Sequence, residues 1–190
     1  LEQLDVSHLK LEYLYCSHND LEQLDVKNSK WLRELDCSKN ELTVLDVDVT
    51  HKPNLVRVEC QNNQLTSLIL GENKMLRKLN CANNQLTQLN LNNMISLTEL
   101  NCANNQLTVL DVSSSPNLTT LWLKNNQLTS LNLDNKVSLF ARVIDLDTGE
   151  SGDMIFNKYD PVCSDLDDPE EPELLPEELE LLKKLDAEEE

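Results

Sequence analysis

Cysteine has the widest chemical repertoire of the residue types here: a thiolate can ligate zinc, attack a carbonyl or close a disulfide. This 190-residue chain has six cysteines. Five of them, Cys16, Cys37, Cys60, Cys81 and Cys102, follow one another at spacings of 21, 23, 21 and 21 residues. Zinc sites built on cysteine need close pairs such as C-x2-C, and these spacings supply none. Leu123 takes the next place in the series, so the position asks for a compact apolar group. The sixth, Cys163, stands outside the series and is expected to be free.

The other reactive types support no catalytic reading. His8, His18 and His51 are scattered, and no two have ligand spacing. Phosphate-binding glycine loops, H-E-x-x-H and G-x-S-x-G are all missing from the sequence. Asp145-x-Asp147-x-Gly149-x-x-x-Asp153 has the outline of a calcium loop. An EF-hand would place Gly at position six and Glu at position twelve, where this chain has Glu150 and Phe156. The expectation is no catalytic residue, no metal and no cofactor.

The cysteines are spaced by a repeat. Leu11-x-x-Leu14-x-Cys16-x-x-Asn19-x-Leu21 recurs from Leu32, Leu55, Leu76, Leu97 and Leu118, with two extra residues between Asp48 and Asn54. The second half of each unit repeats the spacing: Leu21-x-x-Leu24-x-Val26, Leu42-x-x-Leu45-x-Val47, and so on to Leu128-x-x-Leu131-x-Leu133. Each unit thus holds two extended apolar pieces with alternating side chains. A 21-residue coil with two such pieces has no room for a helix of ordinary length.

The pattern resembles the leucine-rich repeat family, L-x-x-L-x-L-x-x-N/C-x-L, over about residues 1–138. The nested halves look like the bacterial subclass called IRREKO, which includes cysteine-ladder internalins. The expected fold is mostly β: a solenoid of short parallel strands with no regular helix in the repeats. Extended chain on both sides makes the coil spacings nearly equal, so only gentle curvature is expected. The expected organisation is a half repeat at 1–10 and six repeats at 11–31, 32–54, 55–75, 76–96, 97–117 and 118–138. After 138 the register fails. Residues 139–160 read as a β-hairpin cap, and residues 161–190 as an acidic linker with a possible short helix from Pro176 that lines up Leu179, Leu182 and Leu185.

In such a coil the five cysteines should form a column of buried free thiols. Stacked side chains on neighbouring parallel strands point the same way, which works against disulfide geometry, and unpaired cysteine is usually buried. Asn19, Asn40, Asn63, Asn84, Asn105 and Asn126 should form a second column. Each is expected to point inward at a turn and bond backbone groups of its own and the next coil.

The third, fifth, seventh and eighth positions of each first strand are expected to face solvent. The candidate partner-binding residues on that face are Tyr13, Tyr15, His18, Asp36, Arg57, Glu59, Lys78, Asn80, Asn101, Trp122 and Lys124. Seventh-position residues, among them Ser38, Ala82 and Ala103, are read as part of it. Tyr13 with Tyr15 at one end and Trp122 at the other are the anchor candidates; Trp122 could instead pack under the cap. Arg57, Glu59 and Lys78 are expected to form cross-strand ion pairs.

Charge narrows the partners. Lys and Arg number 16 against 34 Asp and Glu, a formal net charge of −18. Residues 1–138 carry 16 acidic and 12 basic side chains, and the rest of the chain 18 and 4. Nucleic acid needs a basic face, so it is not expected as a partner. No apolar run is long enough to insert in a membrane. The chain opens inside a repeat, at Leu1-x-x-Leu4-x-Val6, without Met. A fragment is expected, with weak self-association possible through an uncapped first coil.

These readings imply a non-enzymatic module that binds a protein. The resemblance adds an extracellular or bacterial cell-surface location, within a larger secreted or surface protein. Two alternatives remain: the recognition part of an effector enzyme secreted into host cytosol, its catalytic domain elsewhere, or a structural scaffold.

Overall fold

The computed structural model describes residues 1–48, 54–132, 143–144 and 151–152, all within the compact unit Leu1–Asn157. Cys163, the acidic linker and most of residues 139–160 lie outside the described residues, as does nearly all of the calcium-like stretch.

Six three-residue strands build the main sheet: β1 (Tyr13–Tyr15), β2 (Glu34–Asp36), β4 (Arg57–Glu59), β6 (Lys78–Asn80), β7 (Glu99–Asn101) and β9 (Thr120–Trp122). They pair in that order, all parallel, with equivalent repeat positions in register; Leu14 faces Leu35, and Leu35 faces Val58. The opposite side has two parallel pairs: β3 (Val44–Asp46) with β5 (Ser67–Ile69), and β8 (Val109–Asp111) with β10 (Ser130–Asn132). Residues 23–25 and 88–90 occupy the same repeat positions without forming strands. Among the described residues there is no helix. The chain is thus a β-solenoid of the leucine-rich repeat type. Past the repeats, β11 (Val143–Ile144) pairs antiparallel with β12 (Ser151–Gly152), and β11 lies beside β9.

Two side-chain devices keep the strands short. The fifth position of a half repeat is often Asp or Asn, whose carboxyl or amide oxygen accepts from the backbone N–H two residues on. Asp36 takes Ser38 N at 3.0 Å, Asn101 takes Ala103 N at 3.2 Å, and on the second face Asp111 takes Ser113 N at 2.8 Å. Such a turn diverts the backbone from the ladder. Three residues after the fifth, the main-sheet chain turns through the left-handed region, at His18, Lys39, Asn62, Asn83, Asn104 and Asn125, with φ between 53° and 58°. Asn suits that conformation better than most residues with a Cβ.

The core is a stack of identical rungs. Leu21, Leu32, Leu42, Leu55, Leu65, Leu76, Leu86, Leu97 and Leu107 have no exposed surface. Each fully buried leucine contributes roughly 1.5–3 kcal/mol of transfer free energy.

Candidate functional site

All five series cysteines are free and buried in this core. Burial away from water raises their thiols: well above the usual value for Cys37, Cys60 and Cys81, to about 12 for Cys102 and to about 11 for Cys16. A thiol held protonated is neither nucleophile nor metal ligand. Among the described residues, no three His, Cys, Asp or Glu side chains gather as metal ligands would.

The asparagine column sits one turn further on. Asn84 Nδ2 donates to the carbonyls of Cys60 (3.0 Å), Cys81 (3.0 Å) and Ala82 (3.2 Å), and its Oδ1 accepts from Leu65 N at 3.0 Å. Asn40, Asn63, Asn105 and Asn126 repeat this bridge. The second coil each one reaches is the preceding one, where the sequence pointed to the next. Asn19 keeps its own-coil bonds to the Cys16 and Ser17 carbonyls, and its Oδ1 accepts from the Leu1 ammonium at 2.9 Å.

These columns hold a ramp of exposed side chains on the main sheet. At its first strand Tyr13 and Tyr15 are 47% and 63% exposed. Their rings are stacked, with centroids 6.4 Å apart and planes at 25°. The Tyr15 hydroxyl donates to Glu34 Oε2 on β2 at 2.9 Å, and that bond holds the phenol above its usual range. His18 is exposed, and Lys39 Nζ lies 2.9 Å from its Nε2. Asp36 is part-buried and accepts from both Ser38 N and Ser38 Oγ.

The ion pairs differ from the expected ones in part. Arg57 Nε pairs with Glu59 at 3.0 Å along its own strand, not across strands. Lys78 Nζ does cross, to Glu99 at 2.6 Å. Lys78 and Glu99 stand opposite each other in the register, which aligning the repeats could have shown.

Asn80 and Asn101 are part-buried, their side-chain oxygens committed to Ala82 N and Ala103 N. Trp122 and Lys124 are part-buried at the far strand, and the Trp122 indole N–H is buried without a hydrogen-bond partner among the described residues. The seventh position does not face solvent throughout. Ser38, Ala82 and Ala103 are buried at 4%, 5% and 7% exposure, because the Asx turn tucks this residue under the chain. The eighth position takes over that margin. There Asn125 Nδ2 donates to Asn104 Oδ1 at 2.7 Å, and Asn104 Nδ2 to Asn83 Oδ1 at 2.8 Å, an exposed amide ladder. It went unread in the sequence, although Asn recurs there at 21-residue intervals.

Comparison with known proteins agrees with this architecture. A family model for Leucine Rich repeats (2 copies) matches residues 95–135. The solved functional domain of InlJ from Listeria monocytogenes, which includes a cysteine ladder, is similar with a TM-score of 0.59 and 34% sequence identity. That match covers 72% of this chain and 33% of the InlJ chain, so this chain spans about a third of its length. An internalin, inlF, from Listeria monocytogenes str. 4b F2365 has a TM-score of 0.49 and 24% identity, over 65% of this chain and 38% of that one. No curated protein sequence matches the chain. With buried thiols stacked over five successive coils, the chain is a leucine-rich repeat protein similar to the cysteine-ladder internalins of bacteria.

Proposed function

We propose that the chain is a non-enzymatic protein-binding module whose partner docks on the strand ramp. The observation that carries this reading is the exposed, stacked Tyr13–Tyr15 pair on the parallel sheet. Tyrosine provides large contact area at little conformational cost and is enriched where interfaces concentrate their energy. The repeats spend their buried polar groups on holding the coils, which leaves the ramp side chains free to vary with the partner. In this reading the chain is part of a larger bacterial surface or secreted protein, which the likeness to InlJ supports. No helix among the described residues is long and apolar enough to cross a membrane.

The test is capture of partners by the immobilised chain, with Tyr13→Ala/Tyr15→Ala as the comparison. Trp31→Ala is the control, since Trp31 is 57% exposed but lies before β2 rather than on the ramp. We expect a protein retained by the wild type and by Trp31→Ala to be lost by the double variant, with all three melting at similar temperatures. Equal capture by all three would remove the tyrosines from the binding face.

A further inference from the structure

We propose that the partner's anchor is a cationic side chain, arginine or lysine, seated on the Tyr13–Tyr15 pair beside Glu34 and Asp36. This deepens the reading of the ramp as the binding face and rests on it. The argument is one of charge left over. Arg57 and Lys78, the cations of strands β4 and β6, each have a carboxylate of their own, Glu59 and Glu99. Arg33, just before β2, lies 4.0 Å from Glu12. On β2 itself, Glu34 and Asp36 stand in no ion pair among the described residues. Glu34 takes the Tyr15 hydroxyl, and Asp36 takes two bonds from Ser38.

Register puts this uncompensated charge at the tyrosines. Tyr13 pairs with Glu34, and Tyr15 with Asp36. Arg57, opposite Glu34 on the other side, has its Nε committed to Glu59. An apolar group covering the rings would strip water from two carboxylates and return nothing. A cation meets the faces of the rings and the carboxylates at once. Arginine suits the site best, because its planar guanidinium stacks on an aromatic face while its edge forks to a carboxylate.

The probe is N-acetyl-arginine N-methylamide, titrated into the intact chain while the Tyr13 and Tyr15 ring signals are followed by NMR. N-acetyl-norleucine N-methylamide, of similar reach without the charge, is the control. We expect saturable shifts of both rings with the arginine probe and none with norleucine. Glu34→Gln should weaken binding about two- to fivefold, as loss of one exposed ion pair would. Tyr15→Leu should weaken it by a similar factor, as loss of an exposed cation–π contact would. Tyr15 is exposed and Glu34 part-buried, and unchanged remaining spectra would verify that both variants fold. Equal shifts with norleucine, no saturation with arginine, or undiminished affinity in Glu34→Gln would each overturn the proposal. A captured protein that depends on the tyrosines, together with a silent arginine titration, would leave the ramp as the binding face and reject only the cationic anchor. Saturable arginine binding with no tyrosine-dependent capture would reject the ramp as the binding face, and the partner's cationic anchor with it.

Discussion

Asn84 Nδ2 lies 3.0 Å from the carbonyl oxygens of both Cys60 and Cys81, one in the preceding coil and one in its own. One amide group thereby ties the backbones behind two rungs of the thiol column. The two ladders read from the sequence are mechanically one device: the asparagine satisfies the carbonyls that the buried cysteines carry into the turn.

Removal of that amide should be costly. Asn84→Ala would orphan the buried N–H of Leu65 and take one of two donors from the Cys60, Cys81 and Ala82 carbonyls, which keep Asn63 Nδ2, Asn105 Nδ2 and Asn62 N. Each buried group left unpaired costs about 1–3 kcal/mol. We expect Asn84→Ala to lose about 1–3 kcal/mol in chemical denaturation. Asn126→Ala should lose less, because Asn126 is part-buried and water can replace some of its bonds. Equal losses at the two sites would mean that the bridge matters little and only local packing is being read.

The eighth position allows a gain. Lys39 holds φ at 53°, where Asn62, Asn83, Asn104 and Asn125 occupy the equivalent turns. A left-handed conformation costs most residues roughly 1–2 kcal/mol, and Asn tolerates it better. Lys39→Asn should therefore stabilise the chain by about 0.5–1 kcal/mol, seen as a higher denaturation midpoint with unchanged slope. A lower midpoint would show that the contact between Lys39 Nζ and His18 Nε2 outweighs the backbone strain.

The fold was legible because the sequence repeats it six times. Every rung of the parallel sheet follows from aligning Leu14, Leu35, Val58, Leu79, Leu100 and Leu121. The ramp was legible only as far as strict alternation holds. Alternation places Tyr13 and Tyr15 outside correctly. It fails at Ser38, Ala82 and Ala103, where the strand has already ended and the Asx turn sets the direction of the chain. Pairing of charges was the least legible feature. Arg57 has carboxylates both along its strand, at Glu59, and across it, at Glu34. Which one it takes depends on side-chain torsions that spacing does not encode.

The thiol column sets a limit on alkaline stability. Burial raises the Cys102 thiol from an ordinary value of 9.0 to about 12, and Cys16 to about 11. In the unfolded chain both lose their protons near the ordinary value. Their contribution is therefore fully present below about pH 9 and is lost as pH rises toward 11 for Cys16 and 12 for Cys102. Within that window the folded state binds the extra proton, so each such cysteine steepens the fall in stability by about 1.4 kcal/mol per pH unit. Tyrosines and lysines titrate over the same range, so the informative quantity is a difference between variants. Cys102→Ala should lower stability at neutral pH through the cavity it leaves, yet show a shallower decline above about pH 9. Cys16→Ala should show the same flattening over a narrower range, because its shift is smaller. Urea denaturation under reducing conditions at a series of alkaline pH values would measure both slopes. Parallel curves for the wild type and Cys102→Ala would mean that the buried thiol already ionises within the fold, and the column would then have to be read as accessible to solvent and to thiol reagents.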